Sequence, residues 1–200
     1  MGGILRARAG TTIEQSRARR VVGAGSRWWS CGIRLMLGAM SGRREYLCYT
    51  DGSCKAADGA PGGWGFCIKP PRGAPSIEAH GMATETLAKI MEYQAVAEAL
   101  GALPDEGASV VVFSDNASLV ENLEKRLGTW RANGFAKVDS EIVESARRID
   151  AAITTKRLTV RFQWVRAHNG NAGNERADAL AREGAREAKA GLANRAKGQR

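Results

Sequence analysis

Two hundred residues with 44% hydrophobic content suit one globular domain with tails. The formal net charge of +9 is uneven: residues 1–44 hold nine Arg and one acid, a net of +8, and residues 189–200 hold +4, which leaves −3 for 45–188. This excludes an evenly basic chain that coats nucleic acid passively, so any such contact in the middle is local or runs through a metal. The absence of any run of eighteen apolar residues excludes a membrane-spanning helix.

Residues 1–44 are rich in Arg, Gly and Ser and lack a sustained apolar period. They read as a disordered arm, or as sequence upstream of a true start at Met36 or Met40. An Arg-rich, acid-poor organellar transit segment and a basic arm that grips nucleic acid are the other readings. Trp28 and Trp29 offer rings on which bases could stack. Cys31, Cys48, Cys54 and Cys67 lack paired metal-ligand spacing, and the two histidines, His80 and His168, are remote from them. The thiols therefore read as reduced groups of a cytoplasmic protein, not as disulfides or zinc ligands.

Regular patterning begins at Glu45. Tyr46-Leu47-Cys48-Tyr49-Thr50 reads as a strand, residues 58–63 as a turn, and 64–69 as a second strand completing a hairpin. A turn at 70–73 precedes a short third strand near 76–82. Residues 84–102, rich in Ala, Leu and Glu, read as a helix stopped by Pro104. The continuous apolar run at 109–114 is a strand buried on both faces. Helices are expected at about 116–127 and 138–153, a strand at 158–164, and a closing helix at 173–190. The order β-β-β-α-β-α-α-β-α describes an α/β fold: three antiparallel strands, then parallel additions, with helices on the sheet. The patterned domain spans 45–188, between the basic arm and a basic tail at 189–200.

Four acids end recognisable segments: Asp51 after Tyr49-Thr50, Glu92 in Ile90-Met91-Glu92-Tyr93, Asp115 after Phe113-Ser114, and Asp178 in Asn174-Glu175-Arg176-Ala177-Asp178. An Asp after a strand alone is ordinarily a turn residue or helix cap. Glu92 says more, because its helix face is shared by Ala88, Ala95, Val96 and Ala99. A carboxylate on that apolar stripe is costly unless a cation meets it. Asp51 and Asp115 both follow strands, where ligand sites of open α/β sheets gather. Oxygen-only ligands suit Mg²⁺ or Mn²⁺. A carboxylate cage for two such ions, with His168 nearby on a Gly- and Asn-rich loop to move protons, is equipment for phosphodiester hydrolysis.

Together these segments resemble the type 1 ribonuclease H family. The matching pieces are Thr50-Asp51-Gly52-Ser53-Cys54, Gly62-Gly63-Trp64-Gly65, Met91-Glu92, Ser114-Asp115-Asn116, Trp164-Val165-Arg166-Ala167-His168, and Asn174 through Ala181. They occur in the family's order over about 45–188. The resemblance implies a five-stranded mixed sheet with helices on both faces. It also implies endonucleolytic cutting of the RNA strand of an RNA–DNA hybrid, leaving 5′-phosphate and 3′-hydroxyl ends. Asp51, Glu92, Asp115 and Asp178 match the acids that hold two Mg²⁺ in that family, and His168 matches a His that assists proton transfer and product release.

The substrate-reading shell departs from the family. Leu87-Ala88-Lys89 stands where Thr-Asn-Asn is common, Ala117 replaces a frequent Gln, and Ala56-Ala57-Asp58 lengthens the loop after the first acid. The basic, Trp-rich handle is reduced to Trp130, Arg131, Phe135 and Lys137. Telling RNA from DNA needs a contact to the 2′-hydroxyl in the hybrid's wide minor groove. Gly52, Ser53 and Cys54 could make that approach, Asn116 and Asn174 could donate to sugar or phosphate, and Trp130 with Arg131 could stack on the DNA sugar. Helix capping is the structural alternative for the two Asn, and a core or surface aromatic for Trp130. The sequence thus reads as a monomeric Mg²⁺-dependent ribonuclease acting on RNA–DNA hybrids. An idle hybrid- or duplex-binding module of the same fold and an integrase-type strand-transfer enzyme are the rival readings.

Overall fold

The computed structural model describes residues 45–55, 59–104 and 106–198. The Arg-rich arm with Trp28, Trp29, Cys31, Met36 and Met40, and the loop residues Ala56, Ala57 and Asp58, lie outside the described residues. The elements are β1 (Glu45–Cys54), β2 (Ala60–Lys69), β3 (Ile77–Thr86), α1 (Ala88–Ala102), β4 (Ser109–Ser114), α2 (Ala117–Ala132), α3 (Val143–Thr155), β5 (Thr159–Trp164) and α4 (Ala172–Gly198). One sheet runs in the order β3-β2-β1-β4-β5. The first three strands are antiparallel, while β4 joins β1 and β5 joins β4 in parallel. This is the five-stranded mixed sheet that the sequence pattern implies.

Alternation along the strands divides the sheet into two unlike faces. Tyr46, Cys48, Phe66, Ile68, Val110 and Val112 enter the main core with Val96 and Leu100 of α1, Leu119 and Leu123 of α2 and Ile149 of α3. Full burial of each such Val, Leu or Ile contributes roughly 1.5–3 kcal/mol. The opposite face is covered by α4 through small residues, among them Ala177 and Ala181, both fully buried. Tyr49 and Phe113 stack there with ring centroids 4.8 Å apart. Among the described residues, Cys48, Cys54 and Cys67 are free thiols, as the cysteine spacing suggested.

Several boundaries differ from the sequence reading: β1 runs on to Cys54 and α2 to Ala132. Strand β2 begins at Ala60, not 64: Gly62 and Gly63 are ladder residues opposite Cys54 and Ser53. Glycine serves close approach at those positions, not a turn. A Cβ on Gly63 would lie 2.3 Å from the Ala185 nitrogen of α4. Strand β3 extends to Thr86, which pairs with Ala60, so α1 starts only at Ala88. Thr84 and Thr86 are β-branched and favour a strand, and the pairing of Thr86 with Ala60 settles it. Helix α3 starts at Val143, because Asp139 turns the chain first by accepting the Glu141 N–H at 3.0 Å. Helix α4 runs on to Gly198 instead of stopping near 190, through a stretch of Ala, Leu, Lys and Arg that contains no proline.

Candidate active site

Asp51 lies near the end of β1 and Asp115 directly after β4, its parallel neighbour in the sheet. Glu92 arrives from the second turn of α1, which packs over β1. Carboxylate oxygens of Asp51, Glu92 and Asp115 lie within 4.8 Å of one another. The backbone of α1 comes this close because residue 52 is glycine: a Cβ there would stand 2.4 Å from the Glu92 nitrogen.

Asp51 and Glu92 are 7% and 8% exposed, so neither charge is well hydrated. Burial, and then the neighbouring Asp115, push Asp51 up to about 7; the Gly52 N–H and the Arg182 guanidinium pull it partly back. Burial and the charges of Asp51 and Asp115 hold Glu92 well above the usual carboxylate range. The Gly52 N–H donates to Asp51 Oδ1 at 2.8 Å. Glu92 Oε2 is buried with no hydrogen-bond partner among the described residues. An orphaned oxygen amid two further carboxylates fits a hard divalent cation: the ligands are all oxygens, they carry excess negative charge, and a cation would remove the desolvation cost.

Asp178 is not part of that three-carboxylate group. It sits on α4 and is held by Arg182 one turn on, whose Nε donates to Oδ1 at 2.6 Å and whose Nη2 meets Oδ2. The sequence reading missed Arg182, although the i,i+4 spacing of an acid and an Arg on one helix is its signal. His168 lies on the exposed turn before α4 with φ +49, a backbone state that non-glycine residues adopt infrequently. Asn171 then caps α4, accepting the Gly173 N–H at 3.1 Å and the Asn174 N–H at 3.3 Å. Trp164, half exposed at the end of β5, was not singled out from its motif; its Nε1 donates to the Asp115 carbonyl at 3.0 Å and fixes that backbone.

The residues expected to touch substrate are placed as follows. Trp130 is only 8% exposed and belongs to the main core, so its ring is not free to stack on a sugar. Arg131 is exposed, but its Nε donates to Asp150 at 2.7 Å. Asn174 is 3% exposed, which withdraws its side chain from a sugar or phosphate in solvent. Asn116 caps α2, its Oδ1 accepting the Leu119 N–H at 3.0 Å. The Gly52 N–H is engaged by Asp51, and the Cys54 thiol faces the carbonyls of Lys55, Ala60 and Thr86. Ser53 remains half-buried beside the acids. Lys89, at the altered position before Glu92, forms ion pairs with Asp139, at 2.7 Å, and with Glu141.

A family model described as RNase H matches residues 43–186, the span that carries every element of this site. The chain belongs to the ribonuclease H family. A ribonuclease H of Polaromonas naphthalenivorans is 36% identical over 144 residues, 70% of this chain and 87% of its own length. One from Bordetella avium is 37% identical over 139 residues, 68% and 87% of the two chains. Among solved structures, LC9-RNase H1, a type 1 RNase H with the type 2 active-site motif, superposes with a TM-score of 0.60 at 26% identity and covers 72% of each chain. The RNase H1 of Halobacterium salinarum superposes with a TM-score of 0.53 at 22% identity, covering 72% of this chain and 98% of its own, and shares the fold. Membership identifies the chain as a metal-dependent hydrolase. No described helix is long and apolar enough to cross a membrane.

Proposed function

We propose that this ribonuclease H cuts the RNA strand of RNA–DNA hybrids with two Mg²⁺ ions, leaving 5′-phosphate and 3′-hydroxyl ends. The observation that carries the reading is the unpartnered, buried Glu92 Oε2 between Asp51 and Asp115. Asp51, Glu92 and Asp115 would hold one ion, and Asp178 would complete the second position on giving up Arg182. Mn²⁺ has the same ligand preference and should substitute. Bound there, the ions supply an activated water and stabilise charge on the leaving oxygen.

The chain's own groups do the rest. Burial of Asp51 and Glu92 keeps competing water away from two of the three clustered carboxylates. Trp164 pins the Asp115 backbone, so that the acid keeps its place when phosphate approaches. His168, exposed on its turn ten residues before Asp178, is positioned to shuttle a proton to or from the leaving group. Ser53, beside the first acid, is the remaining short side chain suited to a 2′-hydroxyl contact. Lys89 is neutralised by Asp139 and Glu141, so the chain brings no free cation from that position to the hybrid. Intact acids with an altered reading shell support retained chemistry and weaker hybrid affinity, in a protein that works as a cytoplasmic monomer.

The test is cleavage of end-labelled RNA–DNA hybrid, duplex RNA and duplex DNA, each with Mg²⁺ and with chelator. Cleavage confined to the RNA strand of the hybrid and dependent on metal is the expected result. Hybrid binding without product in Mg²⁺ or Mn²⁺ would instead identify an idle binding module, and DNA joining would identify a strand-transfer enzyme.

A further inference from the structure

A second group of metal-binding side chains lies on the other flank of α4. His80 of β3 and Glu183 and Glu187 of α4 bring one ligand atom each to within 4.8 Å of one another. His80 Nε2 stands 3.4 Å from Glu187 Oε1. Glu183 and Glu187 are one helical turn apart, so they project along one face of α4 toward the strand. Glu183 has no hydrogen-bond or salt-bridge partner among the described residues; Arg176, the cation whose charge it feels, is committed to Glu78 at 2.8–2.9 Å.

The backbones beneath this group are seated by glycine. A Cβ on Gly184 would lie 2.2 Å from the Gly81 carbonyl oxygen, and one on Gly63 2.4 Å from the Ala181 carbonyl oxygen. Helix α4 therefore rests directly on β2 and β3, and the spacing between His80 and the two glutamates is fixed by backbone contact. The side chains keep freedom to close on a ligand: both glutamates are exposed, and His80 is 23% exposed. The group is separate from the acids of the active site. Asp51, Gly65 and His80 occupy one lateral row of the sheet, so two strand spacings, roughly 10 Å, divide Asp51 from His80.

We propose that His80, Glu183 and Glu187 form a second metal site, selective for a first-row transition ion such as Zn²⁺ or Co²⁺, which staples β3 to α4. One imidazole and two carboxylates suit Zn²⁺ and its neighbours, whereas Mg²⁺ prefers oxygen alone. Ligand distances of about 2.0–2.2 Å require the carboxylates to draw in by small rotamer changes, which exposed glutamates accommodate. The bland alternative is a plain His–Glu salt bridge, which needs no metal.

Calorimetric titration of the full chain with Zn²⁺ separates the two. The D51N/D115N variant serves as host, so that the three clustered acids contribute little. One binding event per chain and a higher Tm with Zn²⁺ are expected in the host. Both should be lost, or the affinity should fall at least tenfold, when His80→Gln is added. Glu183→Gln with Glu187→Gln should do the same at exposed positions where misfolding is not at issue. In the otherwise native chain, His80→Gln should leave Mg²⁺-supported hybrid cleavage at the parental rate. No Zn²⁺ event in the host, or an event that survives both sets of substitutions, overturns the proposal.

Discussion

Gly52 carries no Cβ where one would stand 2.4 Å from the Glu92 nitrogen and 2.7 Å from the Met91 carbonyl carbon. Both obstacles are backbone, so an alanine must push α1 away from β1. Gly52→Ala should destabilise the protein by about 1–3 kcal/mol, the usual cost of overpacking, and should also weaken Mn²⁺ binding, because Glu92 moves with α1. Urea unfolding alongside a Mn²⁺ titration would check this; parental values in both would show that the close approach has no consequence. Asp115 behaves differently. It is only half-buried, asparagine has its shape, and the change removes a charge that opposes ionisation of Asp51 and Glu92, so Asp115→Asn should not lower stability in chelator. Loss of outer-shell partners alone costs metal sites about 10–100-fold. Loss of the ligand itself should therefore cut hybrid cleavage by more than about 100-fold, and parental turnover would remove Asp115 from the metal assignment. The sequence made the acids legible because each ends a patterned segment, and Glu92 stood out as a charge on an apolar stripe. It could not reveal that Trp130 points into the core, since Trp130-Arg131 has the same composition as a surface handle. Nor did it reveal that Asp178 turns toward Arg182, a matter of side-chain direction on α4.

At the level of elements, α4 matters as much as the strands that carry acids, because it bears Asp178 and closes the second face of the sheet. Its fit depends on a glycine track. A Cβ on Gly65 would meet the Ala181 nitrogen at 2.5 Å, the Leu180 Cβ at 2.6 Å and the Ala177 oxygen at 2.7 Å. Gly65→Ala should lift α4 near its middle, cost about 1–3 kcal/mol, and displace Asp178 toward solvent. The corresponding measurement is thermal unfolding together with hydrogen exchange of α4 amides. Unchanged exchange in α4 beside a lowered Tm would mean that the strain is absorbed in β2 instead. The same contacts explain which boundaries were readable. Strand β4 matches its expected limits, because a continuous apolar run between turn signals admits few other structures. Strand β2 was cut short because Gly62-Gly63 has turn chemistry in isolation, and only the proximity of α4 makes glycine right for a ladder position. The change from β3 to α1 was misplaced because 84–86 can form either structure, and pairing of Thr86 with Ala60 decides it.

Over the whole molecule, buried carboxylates link folding to both pH and metal. Burial, then the charge of Asp115, pushes Asp51 up to about 7 in the fold, from the ordinary 3.8 it has when unfolded. Between those values the folded state holds a proton that the unfolded state has released, so stability falls as pH rises through this window and levels off above it. Glu92 is displaced in the same direction and adds to the slope. Taken alone, the Asp51 shift corresponds to roughly 4 kcal/mol across the window, at about 1.4 kcal/mol per unit. In chelator, the protein should therefore become less stable from about pH 4 to pH 7, opposite to the trend set by ordinary paired carboxylates. Mg²⁺ should reverse this near neutrality, because a cation compensates the charges whose burial is costly, and a ligand that binds only the folded state stabilises it by mass action. Unfolding midpoints measured from pH 4 to pH 8, with chelator and with millimolar Mg²⁺, test both halves. The curves should converge at the acidic end, where protons neutralise the cluster, and diverge toward pH 7. A chelator curve that does not fall would show that the clustered acids are not protonated in the fold, and parallel curves would place the metal elsewhere.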